Sequence, residues 1–374
     1  MKTPDIVKIN KDVEPLLLAS AKCGIHGRGK EDVGKLFTLL ACADPHGDKE
    51  RFERFIDYLN YYSLFDCGIC LGDIAPICFR DEDGEWYKNL AKKANKDFHT
   101  VLGNHDLGNS KKGEISATTK MAFLRFIKPL EEKAGVSDLQ NPYYVKFYDE
   151  YNIALIVLNS YDTPDDLDEN GDYRVSRGCE TFSLEQTEWL IDALMNIPSG
   201  YHLIVAMHTL PYELDKIDTN FTQKDKTCPC PTTATYGNDY MIPDIIDAWK
   251  KGGSLNKDYA PILHSDVLPT ISVKCDFSSR GEGEFCCYLL GHTHYDVVTV
   301  PKAHPDQMAF FFGSLANDLW QNFDSDLPRS LGTKCEDLIT SVSIDTKNKE
   351  IRLVRIGSDF SVDMYERKHL SLNY

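Results

Sequence analysis

Short runs of mostly apolar residues, each stopped by a polar or glycine-containing turn, recur through much of the chain. They lie at 36–43, 67–71, 98–102, 152–158, 203–207 and 286–290. Runs of this length without alternation read as strands buried on both faces, the habit of strands in an α/β sheet. Between them the period changes. Residues 49–59 place Phe52, Phe55, Ile56 and Leu59 on one face behind Asp48, which reads as an N-cap ahead of any partner role at a metal site. Helical spacing also marks 86–94, 121–130, 183–197, which opens on a Ser183-x-x-Gln186 capping box, and 242–249. Beyond residue 294, the runs 297–300, 308–312, 338–344 and 351–356 predict further strands, the last two joined as a hairpin by Asp345-Thr346-Lys347-Asn348-Lys349. A second set of strands therefore backs the first, and 358–374 reads as a polar tail.

Five of the apolar runs end on residues that bind metals. The first runs into Asp44-Pro45-His46, the second into Gly72-Asp73 and the third into Gly103-Asn104-His105-Asp106. The run at 203–207 meets His208, and that at 286–290 meets Gly291-His292-Thr293-His294. Ligand sites in open α/β sheets gather at the carboxyl ends of strands. Five such ends are expected to collect two carboxylates, one carboxamide and five imidazoles at one sheet edge.

In this order, Asp-x-His, Gly-Asp, Gly-Asn-His-Asp, a lone His and Gly-His-x-His resemble the calcineurin-like metallophosphoesterase superfamily, over Asp44 to His294. The resemblance implies an α/β fold, a four-layer α/β/β/α sandwich of two mixed β-sheets flanked by helices, with a large insert before the last metal motif. It divides the chain into an N-terminal extension (1–35), a metallophosphoesterase domain (36–356) whose insert at 209–284 shapes the site, and a C-terminal tail (357–374). It further implies two divalent transition-metal ions, Mn, Fe or Zn. One is held by Asp44, His46 and His294, the other by Asn104, His208 and His292, with the Asp73 carboxylate bridging. Imidazole and carboxylate together suit such ions better than magnesium or calcium.

Two carboxylates and a bridging hydroxide leave a pair of dications net positive, so the site attracts phosphate, and water on such a centre ionises near neutral pH to attack phosphorus. His105 stands outside this ligand set. By resemblance it lies on the leaving-group side, where it stabilises charge or donates a proton, with Asp106 fixing its tautomer. Serine/threonine protein phosphatases of the superfamily carry Asp-Arg after Gly-Asp and a Glu at position 106; this chain has Ile74-Ala75 and Asp106. Purple acid phosphatases place a Tyr at position 76 and a Gly at position 46, where Pro76 and His46 stand. The pattern is more similar to the bacterial phosphodiesterase-like branch.

Charge narrows the partners. The 374 residues carry 41 Lys and Arg against 58 Asp and Glu, a formal charge of −17. Such a surface repels phosphate backbones and anionic membranes at long range, while a small phosphorylated substrate remains compatible with a cationic site. No run approaches the roughly 18–20 apolar residues that span a bilayer. The N-terminus lacks the apolar core of a signal peptide, and of twelve cysteines Cys42, Cys67, Cys70, Cys286 and Cys287 sit inside apolar runs, so a reduced, cytoplasmic protein is expected. Oligomeric state is not readable from the chain.

Other motifs carry less. The segment Gly24-Ile25-His26-Gly27-Arg28-Gly29-Lys30-Glu31 approaches a P-loop, but Glu31 stands where the magnesium-binding Ser or Thr is required, so it reads as a loop, with His26 a minor candidate for substrate contact. The acidic stretch 162–172 lacks EF-hand spacing and reads as solvated loop. Cys228-Pro229-Cys230 is too tight and isolated for a zinc ribbon. His99, His202, His264, His304 and His369 lack motif context and read as structural. The function these features favour is a dinuclear metal-dependent phosphoesterase acting on a small diester or monoester. Alternatives are a catalytically silent metal-containing scaffold and a nuclease, the latter opposed by the charge.

Overall fold

The computed structural model describes residues 3–22, 36–76, 79–107, 119–137, 139–164, 168–170, 174, 179–210, 214–216, 240–261, 265–294, 296–316, 332–333, 336–357 and 369–374. In chain order the helices are α1 (Asp5–Ile9), α2 (Glu14–Ser20), α3 (Lys49–Tyr61), α4 (Asp81–Ala91), α5 (Thr119–Ala122), α6 (Lys128–Lys133), α7 (Leu184–Asn196) and α8 (Met241–Lys250). A π-helical turn, Phe123–Ile127, joins α5 to α6. The strands are β1 (Phe37–Cys42), β2 (Cys67–Leu71), β3 (Asp97–Val101), β4 (Tyr144–Tyr148), β5 (Ile153–Val157), β6 (His202–Ala206), β7 (Leu214–Lys216), β8 (Ser254–Tyr259), β9 (Ile271–Asp276), β10 (Glu284–Leu290), β11 (Val297–Pro301), β12 (Ala309–Phe311), β13 (Leu338–Asp345), β14 (Glu350–Gly357) and β15 (His369–Asn373).

Two mixed sheets carry the architecture. The first has the order β15-β14-β13-β1-β2-β3 and the second β4-β5-β6-β10-β12-β11-β7, while β8 and β9 form a separate ribbon. Alternation along β5 explains why its run is apolar throughout. Ile153, Leu155 and Val157 enter the core between the sheets, while Ala154, Ile156 and Leu158 face the other way. The first core is closed by Phe52, Phe55 and Leu59 of α3 and Trp86 and Tyr87 of α4; the second by Leu190 and Leu194 of α7 and Ile242 to Trp249 of α8. The expected α/β/β/α layering is what the chain adopts.

Local chemistry sets the element boundaries. The Asp48 carboxylate accepts from the Arg51 N–H at 3.1 Å, capping α3 as expected, and the Arg51 side chain pairs with the same carboxylate. Ser183 caps α7 by accepting from Gln186 N–H at 3.0 Å, but the capping box is half made. The Gln186 amide instead grips Asn159, accepting from its N–H at 2.8 Å and donating to its carbonyl at 2.9 Å. Helix α4 begins five residues ahead of the expected start because Asp81, Glu82 and Asp83 suit a helix N-terminus.

One difference from the sequence reading, and two features it did not address, concern packing. The 358–374 segment read as a polar tail ends in β15, paired antiparallel with β14, because Leu370 and Leu372 alternate against the core. The N-terminal segment is also docked, with Ile6, Val7, Val13 and Leu17 buried in the first core. Within the 209–284 insert, β7 joins the second sheet beside β11, and Trp249 of α8 is wholly buried with its indole N–H donating to the Leu194 carbonyl at 3.0 Å. The near P-loop at 24–31, Cys228-Pro229-Cys230, His264 and residues 165–167 and 171–172 of the acidic stretch lie outside the described residues.

Candidate metal centre

Strands β1, β2 and β3 run parallel, as do β6 and β10, so their carboxyl ends point one way. The expectation of a single sheet edge is corrected: Asp44, His46, Asp73 and Asn104 follow strands of the first sheet, and His208, His292 and His294 follow strands of the second. The donors meet where the edges of two facing sheets converge.

All seven sequence-predicted ligands come together. Donor atoms of Asp44, His46, Asp73 and His294 lie within 4.8 Å of one another, as do those of Asp73, His208 and His292. Asn104 joins the second group, its Oδ1 standing 3.1 Å from His292 Nδ1. Asp73 is common to both groups. Its Oδ1 accepts from the His105 backbone N–H at 2.8 Å, while Oδ2 faces His208 Nε2 at 3.3 Å and His46 Nε2 at 3.8 Å. On the other side, Asp44 Oδ1 is 3.5 Å from His294 Nε2.

Backbone carbonyls decide which ring nitrogens face inward. His208 Nδ1–H donates to the Leu71 carbonyl at 2.7 Å, His46 Nδ1–H to Ala75 at 3.1 Å and His105 Nδ1–H to Pro76 at 2.9 Å. A carbonyl only accepts, so each Nδ1 carries the proton and each Nε2 offers its lone pair. The expected orienting role of Asp106 is therefore corrected. Its carboxylate is fully buried and accepts instead from Ala75 N–H at 3.1 Å and Gly103 N–H at 2.8 Å, tying together the loops that follow β2 and β3.

Strain concentrates here. Asp44, His46, Asp73, His292 and His294 all take φ between 41° and 70°, a region non-glycine residues seldom occupy. The glycines beside them permit close approach. A Cβ on Gly103 would lie 2.3 Å from Asp73 Oδ1, and one on Gly72 would lie 2.4 Å from His208 Nδ1.

Charges within the cluster are unresolved by its own groups. Burial, with Asp73 adding to it, pushes the Asp44 carboxyl well above its ordinary value; burial acts on Asp73 too, but His208, His105 and His46 hold it well below. Burial alone would depress His208, yet Asp73 and Asp44 outweigh it and lift the imidazole to about 10. Burial and neighbouring imidazoles drive His292 down to about 4 and His294 to about 3. Most telling is His208 Nε2, which is buried and has no hydrogen-bond partner among the described residues. Without a metal this nitrogen carries a proton between two carboxylates; a cation would displace that proton and take the lone pair, and the mixed nitrogen and oxygen donors fit a divalent transition metal.

One residue of the site escaped the sequence reading. Glu180, just before α7, is 3% exposed; its Oε1 lies 4.0 Å from His292 Nε2 and accepts from Tyr161 O–H at 3.4 Å. Burial lifts its carboxyl to about 7. Its neighbours Cys179 and Thr181 form no motif, so no sequence signal marked it.

This fold, with such donors at the carboxyl ends of its strands, defines a metallophosphoesterase architecture. A family model described as calcineurin-like phosphoesterase matches residues 37–256, more than half of the chain, and the protein belongs to that family. The match stops short of His292 and His294, which the structure brings to the site. No curated protein matches the chain. Among solved structures, a Thermus thermophilus protein aligns at 13% identity and TM-score 0.42, over 91% of this chain and 99% of that one. The phosphopantetheinyl hydrolase of Mycobacterium tuberculosis aligns at 13% and 0.39, over 79% and 95%. A purple acid phosphatase from yellow lupin seeds aligns at 8% and 0.44, over 91% and 54%.

Proposed function

We propose that the protein is a dinuclear metal-dependent phosphoric ester hydrolase, of the bacterial phosphodiesterase-like branch, acting on a small phosphodiester or phosphomonoester. The observation that carries this reading is the buried His208 Nε2 facing Asp73 Oδ2 at 3.3 Å, at the junction of two donor groups that share Asp73. Asp44, His46 and His294 would hold one ion, Asn104, His208 and His292 the other, with Asp73 between them; manganese, iron and zinc suit the donors. When bound, such ions polarise the phosphoryl group and lower the pKa of water.

The chain's own residues do the rest. His105 packs edge-on against His46, with ring centroids 4.8 Å apart, and its Nδ1–H is fixed on Pro76, leaving Nε2 to exchange a proton with the departing oxygen. Its backbone N–H separately holds Asp73, so one residue serves substrate with its side chain and the metal ligand with its main chain. Residues 36–356 are taken as the catalytic unit, and the 209–284 insert as the part that governs access. The −17 charge favours a small substrate over nucleic acid, and a cytoplasmic site of action suits the buried thiols. No helix among the described residues is long and apolar enough to cross a membrane.

The test is metal analysis together with turnover of aryl phosphate mono- and diesters after loading with manganese, iron or zinc. Two equivalents per chain and metal-dependent hydrolysis are expected. A fully metallated protein inert towards a broad ester panel would instead support a binding role.

A further inference from the structure

We propose that Glu180 is a positioning residue for His292, accepting from its Nε2–H and so setting the ring that presents Nδ1 beside Asn104. This rests on the metal-centre reading above. With a metal bound, His292 would reach the donor cluster through Nδ1, which here stands 3.1 Å from Asn104 Oδ1. An imidazole that ligates through one nitrogen carries its proton on the other, and that N–H needs an acceptor. Glu180 Oε1 stands 4.0 Å away, in a side chain only 3% exposed.

Two features show that this carboxyl is held for a partner. Tyr161 O–H donates to Oε1 at 3.4 Å, while Oε2 is buried with no hydrogen-bond partner among the described residues. The backbone beneath it is pinned, with Thr181 N–H donating to the Ser160 carbonyl at 2.9 Å and Asp162 N–H to the Thr181 carbonyl at 3.1 Å. A modest turn of the His292 ring or the Glu180 side chain would bring the pair to the 2.7–2.9 Å or so of a charge-assisted hydrogen bond. Carboxylate–histidine–metal chains of this kind hold the ring and raise its basicity, and breaking one typically weakens metal binding by about 10–100-fold.

The experiment titrates manganese into metal-free wild type, Glu180→Gln and Glu180→Ala, reading each equivalent by calorimetry and chelator competition, with melting of the metal-free forms alongside. Wild type is expected to take two equivalents. Both variants are expected to keep the first near wild-type affinity and to bind the second about 10–100-fold more weakly. Second-equivalent affinity within twofold of wild type in Glu180→Gln overturns the proposal. So does equal weakening of both equivalents with a lowered metal-free melting temperature, which marks Glu180 as structural. A wild type that takes no metal refutes the metal-centre reading itself, a separate result.

Discussion

Replacing Gly103 by alanine tests how tightly the centre is built. Its backbone already has φ −107°, which alanine adopts freely, so the whole effect is steric. The new Cβ would sit 2.3 Å from Asp73 Oδ1, 2.7 Å from the Asp73 backbone N and 2.8 Å from His208 Cε1, where real Cβ contacts essentially never fall under 3.0 Å. Relief requires Asp73 to withdraw by about 0.7 Å, and a misplacement near 1 Å at a reacting centre can lower a rate by about 100-fold. Overpacking would also destabilise the fold by about 1–3 kcal/mol. The assay is turnover of a chromogenic phosphodiester with bound metal counted in the same samples, and Gly253→Ala is the control, since its Cβ meets only a carbonyl at 3.8 Å. Gly103→Ala should lose both metal and rate. A variant with wild-type metal content and rate would refute the claim that the centre depends on the close approach that Gly103 permits to Asp73.

Other perturbations separate the roles of neighbouring residues. His105→Ala keeps the backbone N–H that holds Asp73, so metal content should stay unchanged while turnover falls about 100- to 10,000-fold. Asp48→Ala removes the cap of α3 and the partner of the buried Arg51 guanidinium, and should lower stability by more than the roughly 1 kcal/mol of a cap alone, read by denaturant unfolding, with no change in rate. Stability of the metal-stripped protein should fall as pH rises from about 6.5 towards 10. His208, raised to about 10, stabilises fully below its unfolded pKa and loses that contribution through its folded one. Thermal melts across that range should flatten once metal is restored; an equally steep loss with metal present would contradict the assignment.

The residues that the structure groups could be read from the chain because each stands within a few residues of the end of a buried strand, and a strand of five or six apolar residues is visible without its partners. Which sheet a strand joins was not visible. Pairing of β1 with β13, some 300 residues on, is a long-range choice that no local pattern encodes. The same limit hid β15, whose two inward leucines look unremarkable among polar neighbours, and β4, where Lys146 interrupts an aromatic stretch. Asp106 was misread for a different reason: its spacing from His105 suggests a side-chain partner, whereas its acceptors face two main-chain N–H groups. Glu180 was missed because a lone glutamate gains meaning only when the chain brings it beside His292.

The carbonyls of Leu71, Ala75 and Pro76 have a further consequence. They make the protonation pattern of three imidazoles a property of the path of the chain rather than of the residues lining it. Substituting side chains at these three positions would leave the instruction in place, whereas a single residue inserted between Leu71 and Ala75 would shift the Ala75 and Pro76 carbonyls together relative to that of Leu71. The centre is thus more exposed to changes of length than of composition, and drift in this loop should be tolerated only where its count of residues is kept.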